Sequence, residues 1–127
     1  MTYVDGFVLP VQKKKIGAYR KMAIEGGKLW KKHGCLDYFE CVGDDLSPKL
    51  GPIKLARFPK LAKAKAGETV VFSFIIYKSR KHRDQVNAKV MKDPSMNDPT
   101  KKNRAMPFDP KRMAYGGFKA IVQQKKR

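Results

Sequence analysis

An α+β fold with the element order β-α-β-β-α-β is what the sequence predicts, on three observations. Apolar side chains alternate every second residue in 2–11 and 36–43. Residues 69–77 form a strand-like run that is apolar on both faces. Residues 13–33 and the stretch from Ser79 to Pro94 instead repeat at three- and four-residue steps, the period of a helix packed on one side.

In 2–11, Tyr3, Asp5, Phe7 and Leu9 fall on one side and Val4, Gly6 and Val8 on the other. The helix of 13–33 buries Ile16, Tyr19, Met22, Ala23, Gly26, Leu29 and Trp30, with Lys14, Lys21, Lys28 and Lys31 on its opposite face; Gly34 follows as a left-handed stop. In 36–43, Leu36, Tyr38, Glu40 and Val42 face one way, and Asp37, Phe39 and Cys41 the other. The lysine-rich connection 46–66 carries Pro48, Pro52 and Pro59, and 53–58 offers an added edge strand. Gly67 opens the central strand, and Val86 and Val90 mark the buried stripe of the second helix, which Pro94 ends. Four prolines keep 94–111 irregular. The last strand is placed at 112–123, where Gly116-Gly117 signals a bulge or a close backbone approach. One domain, 1–123, is expected to end in a basic tail, 124–127.

This order predicts the split-βαβ, ferredoxin-like arrangement: a four-stranded antiparallel sheet, both helices on one face, first and third strands central. Two helices cannot hide all the aromatic side chains. Tyr3, Phe7, Tyr38, Phe72 and Phe74 are therefore expected on the open face, covered by a second copy in a homodimer. RNA is the competing occupant, because RNA-recognition modules stack bases on central strands. Phe72 to Tyr77 echoes part of such a motif, but Val70-Val71 replaces its leading basic residue and glycine, and Asp5 would repel phosphates.

The 127 residues are 42% hydrophobic and 31% charged, a soluble globular composition, and no stretch is long and apolar enough for a membrane span. The start, MTYVDGFVLP, has no signal-peptide pattern, so a cytoplasmic location is expected. The net charge of +18 attracts polyanions, although lysines dominate and are scattered. Cys35 and Cys41, six residues apart in one expected strand, lie roughly 20 Å from each other and cannot form a disulfide. Zinc spacing, a phosphate-cradling glycine loop, a dinucleotide fingerprint and a serine elbow are all missing from the sequence, so neither metal nor cofactor is expected.

Candidate site residues are polar groups on faces that should be buried. Asp5, in a central strand, needs a partner, and a register-fixing ion pair with Arg83 or Arg112 is the plainer alternative to a ligand. His82, Arg83 and Asn87 flank the stripe of the second helix; Glu40 of 36–43 is a further candidate; Asp109, Arg112 and Tyr115 surround the start of the last strand. Together these are expected to line a small-molecule cleft between helices and sheet.

The strings YVDGFVLPV, AYRKMA, WKKHG, LDYFECVGDD, ETVVFSFIIYKSRKHRDQVNAKVMKDP and MPFDPKRMAYGGF resemble the bacterial YbaA-like family, a domain of unknown function, nearly end to end. The resemblance implies a ferredoxin-like fold in the dimeric α/β-barrel superfamily, whose members pair through their sheets. That superfamily holds cofactor-independent monooxygenases, haem-handling enzymes, isomerases and stress proteins, so it implies no particular activity. This chain is more basic than the resemblance leads one to expect, with extra lysines in the middle loop and tail.

Overall fold

A computed structural model describes residues 2–98 and 106–126. Four strands, β1 (Tyr3–Gln12), β2 (Asp37–Val42), β3 (Glu68–Tyr77) and β4 (Ala114–Lys119), alternate with helices α1 (Ile16–Lys32), α2 (Phe58–Leu61) and α3 (Arg80–Lys92). The sheet order is β2-β3-β1-β4, every neighbouring pair antiparallel, with the two ten-residue strands in the middle.

Register assigns the faces. Leu9 lies opposite Val71, Asp5 opposite Ile75 and Tyr3 opposite Tyr77, so the odd-numbered residues of β1 and β3 share one side. On that side Leu9, Val11 and Val71 pack with Tyr19 and Ala23 of α1, while Ile75 and Tyr77 pack with Val86 and Val90 of α3. Both long helices therefore cover the same face. Tyr3, Phe7 and Tyr38 border this layer, which corrects their expected place on the open face. They share strand parity with Asp5, Leu9 and Glu40, and burial of Asp5 and Leu9 decides the side. Phe72 and Phe74 do lie on the open face, with Phe39 stacked on Phe74 at 4.7 Å between ring centres.

Several boundaries differ from the sequence expectation. Lys13–Lys15 form a 3-10 turn before α1, because Lys13 N–H still serves the β1–β3 connection by bonding Gly67 C=O. Gly34 (φ +110°) ends α1 in the conformation only glycine adopts easily. Cys35 precedes β2 instead of lying in it, and it is buried whereas Cys41 is exposed. No strand forms at 53–58. A single Leu50–Ile53 bridge is followed by the short α2, whose Phe58 meets Phe72 edge-on and roofs part of the open face.

Arg112 belongs to a 3-10 turn (Pro110–Arg112), and β4 is shorter than expected. Its glycines form no bulge: Gly6 pairs with Gly116 and Asp5 with Gly117 in unbroken register. Close approach is the reason for Gly117, since a Cβ there would lie 2.8 Å from the Tyr3 ring. In the irregular segment, residues 99–105 lie outside the described residues.

Candidate functional site

The expected single cleft is divided into two polar groups by the row geometry of the sheet. Ile75 of β3 stands between Asp5 and Tyr38, and Ser73 between Phe7 and Glu40. Asp5 and its partners lie on the β4 side, whereas Glu40 lies towards β2 and α1.

Asp5 is 1% exposed. Its Oδ1 accepts from Arg83 Nη1 at 2.9 Å, and the same nitrogen donates to the Tyr115 hydroxyl at 2.9 Å. Arg83 lies 5.0 Å over the Tyr3 ring, and its Nε donates to Asp84 at 2.8 Å. Burial pushes the Asp5 carboxyl above its ordinary range, and the Arg83 charge pulls it partly back. Asn87 closes the inner end, its Oδ1 accepting from Trp30 Nε1 at 3.1 Å and from Tyr77 Oη at 3.4 Å. These side chains hold one another. Of the two expected partners of Asp5, the structure selects Arg83.

Arg112 forks onto Glu68 instead, at 2.7 and 2.8 Å, and donates to the Lys63 carbonyl. Asp109 caps its own 3-10 turn by accepting from Lys111 N–H. His82 is likewise a local brace: its Nδ1 accepts from Lys78 N–H at 3.0 Å, its backbone N–H is capped by Ser79, and its ring meets Tyr77 edge-on. These contacts place all three outside both polar groups: turn and cap bonds take up His82 and Asp109, and the Glu68 ion pair takes up Arg112.

Glu40 sits at a real cavity. Its Oε1 accepts from Tyr19 Oη at 2.8 Å and its Oε2 from Tyr38 Oη at 2.7 Å. Burial, then the neighbouring Glu40, pushes the Tyr19 phenol far above its ordinary range; the Tyr38 phenol moves the same way. Both stay protonated as donors. Gly26 and Gly27 make room for the Tyr38 ring, since a Cβ on Gly27 would lie 3.0 Å from it.

A cleft of about 600 Å³ runs between α1 and β2 beside this cluster, inside the usual size range for small-molecule sites. Ile16, Ala23 and Ile24 form its α1 wall, Val42 and Val71 its sheet wall, and Arg20, Lys28 and Lys31 join Asp37 in lining it. Of the cleft residues expected from the sequence, only Glu40 lines it. Tyr19 reads as an ordinary core residue of an amphipathic stripe; the i+3 step from Ile16 gives no sign of a phenol aimed from the helix at Glu40 of β2.

A second missed cluster ties the helix ends. Asp93, 4% exposed in its side chain, accepts from Lys32 Nζ at 3.1 Å and contacts His33 Nε2 at 2.7 Å. Its other oxygen caps Ser95 N–H. The His33 contact, then the Ser95 backbone bond, holds the Asp93 carboxyl well below its usual range. Among the described residues no three His, Cys, Asp or Glu side chains gather to hold a metal ion. No helix there is long and apolar enough to cross a membrane.

Glu68 yields a pH prediction. Hydrogen bonds from Arg112, then from Lys65 N–H, bring its pKa from 4.5 to about 2. A carboxylate depressed on folding contributes stability above its unfolded pKa and loses it as pH falls through the folded value. Wild-type melting temperature should therefore fall between pH 4.5 and about 2. Glu68→Gln should melt lower at pH 7 and show a shallower fall across that window. Parallel acid profiles would contradict the assignment.

The family model described as "Protein of unknown function (DUF1428)" matches residues 2–110. "Uncharacterized protein YbaA" of Escherichia coli strain K12 is 43% identical over 124 residues, covering 98% of this chain and 100% of the relative. The Shigella flexneri protein of that name matches to the same extent. A de novo designed protein, Foldit4, superposes with a TM-score of 0.44 at 13% identity, over 94% of this chain and 99% of its own, too loosely to carry an argument. By the family match and these near full-length relatives, the chain belongs to the DUF1428 family, proteins of unknown function.

Proposed function

We propose that this protein is a homodimer of ferredoxin-like subunits that binds a small organic molecule between α1 and β2. The observation that carries the ligand reading is the 600 Å³ cleft with apolar walls and a Tyr19–Glu40–Tyr38 hydrogen-bonded cluster at its side. The Asp5–Arg83 group is, on this reading, a structural brace. The two free thiols fit a reducing, cytoplasmic setting.

The dimer reading is supported by what the open sheet face carries. Val4, Gly6, Val8, Phe39, Phe72, Phe74, Ile76 and Phe118 share it by register. Phe39 is 47% exposed, Phe72 44% and Phe118 63%. The chain has 29 Lys and Arg residues, yet among the described residues none occupies a strand position on this face. Phosphates would find no cation on the described strand positions of this face, so a second copy is a better occupant than RNA. Inward-facing Asp5 no longer argues against RNA; the missing cations do.

Ile24 lines the cleft and is 42% exposed, so Ile24→Trp fills it without disturbing the core. In a thermal-shift screen of neutral, acidic and basic aromatic fragments, ligands stabilising the wild type should fail to stabilise Ile24→Trp, whose own melting temperature should change little. Ligands that stabilise both proteins equally would place the site elsewhere.

A further inference from the structure

We infer that the occupant of the α1–β2 cleft is a monoanion with an apolar body, a carboxylate on an aromatic or branched aliphatic frame. This rests on the reading of the cleft as a ligand site and adds the charge and class of what fills it.

The apolar body follows from the walls, where Ile24 of α1 faces Val42 and Val71 of the sheet. The charge follows from the balance of charged groups in the lining. Glu40 is the carboxylate nearest the cluster, but each of its oxygens already accepts a phenol proton, at 2.8 and 2.7 Å. Those two bonds already orient both oxygens and make Glu40 a weaker anchor for a cationic ligand than an unbonded carboxylate. In formal charge the lining sets two carboxylates, Glu40 and Asp37, against three cations, Arg20, Lys28 and Lys31, which leaves one positive charge to be matched by a monoanion.

Those cations follow the helix period. Arg20 and Lys31 are eleven residues apart, about three turns, and share a side of α1; Lys28 and Lys31 are neighbours one turn apart. A carboxylate at the mouth gains a charge-assisted contact while its frame lies against the valines. The phenols stay protonated as donors to Glu40 and add no negative charge of their own to the cleft.

Isothermal titration with three matched probes, 2-naphthoate, 2-naphthamide and 2-naphthylmethylammonium, tests this at low and at physiological salt. Naphthoate should bind the full-length protein about tenfold more tightly than the amide, and the ammonium compound most weakly. Combined Arg20→Gln, Lys28→Gln and Lys31→Gln should erase the difference between acid and amide while leaving amide binding intact. Lys13→Gln, Lys14→Gln and Lys65→Gln, around a separate depression, remove the same charge and should preserve it.

Equal affinity for acid and amide, with Ile24→Trp abolishing both, would overturn the anion inference and leave the cleft standing. Equal loss of the preference in both triple variants would also overturn it, making the whole-protein field responsible. Absence of binding by all three probes would overturn the inference and the cleft reading together.

Discussion

Replacing Arg83 with leucine should lower the melting temperature by roughly 10 °C or more, through a loss of about 3–5 kcal/mol. Asp5 is 1% exposed and Arg83 is its only cationic partner among the described ion pairs. Removing the guanidinium leaves a buried carboxylate without its cation and takes a donor from the Tyr115 hydroxyl. The carboxyl then stays protonated to a higher pH. A folded-state pKa above the unfolded 3.8 gives stability that is present at low pH and lost as pH rises through the folded value. Relative to wild type, Arg83→Leu should thus be hurt less near pH 4 than near pH 8. Asp5→Leu in the same protein should recover much of the loss, since the uncompensated charge is gone. A small shift independent of pH would mean that the pair is solvated and dispensable.

Phe74→Lys should abolish self-association. Phe74 lies mid-strand on the open face, stacked on Phe39 and tilted against Phe72 at 5.7 Å between ring centres. A lysine there would be buried without a partner at the proposed interface, a cost of several kcal/mol. In the isolated subunit the same side chain can reach solvent at little cost. The wild type should melt at temperatures that rise with protein concentration, because association stabilises the folded state by mass action. Phe74→Lys should melt independently of concentration while keeping wild-type circular dichroism. Concentration dependence in both proteins would locate the contact elsewhere.

The long, strongly periodic elements were legible from residue pattern. The apolar run of β3 and the stripe of α1 fix which strand is central and which helix face is buried, and Val86 and Val90 mark the inner side of α3 correctly. Asp5 was legible too, because a carboxylate in a central strand demands a partner. The side taken by the aromatic residues was not: the alternation groups Tyr3 and Phe7 with Asp5 and Leu9, and Tyr38 with Glu40, but only the burial of Asp5 and Leu9 shows which side of the sheet the helices cover. The site was half legible. Glu40 stands out as a carboxylate in an alternating strand, but its donors Tyr19 and Tyr38 come from a helix and a strand, and nothing local in sequence announces that meeting. His82 and Arg112 looked available because their partners, the Lys78 backbone and Glu68, are set by turn and strand geometry. The Asp93 cluster escaped notice for the same reason, since Asp93 reads as a residue before proline and its partners lie sixty residues away.

Sedimentation equilibrium of the unmodified protein at micromolar concentration addresses the pairing of sheets most directly. The account predicts a species of twice the 14.5 kDa chain mass, dissociating on substitution of Phe74 and retained at high salt, as an apolar contact requires. A single-chain mass across the accessible concentration range, with Phe39, Phe72 and Phe118 open to solvent, would contradict it.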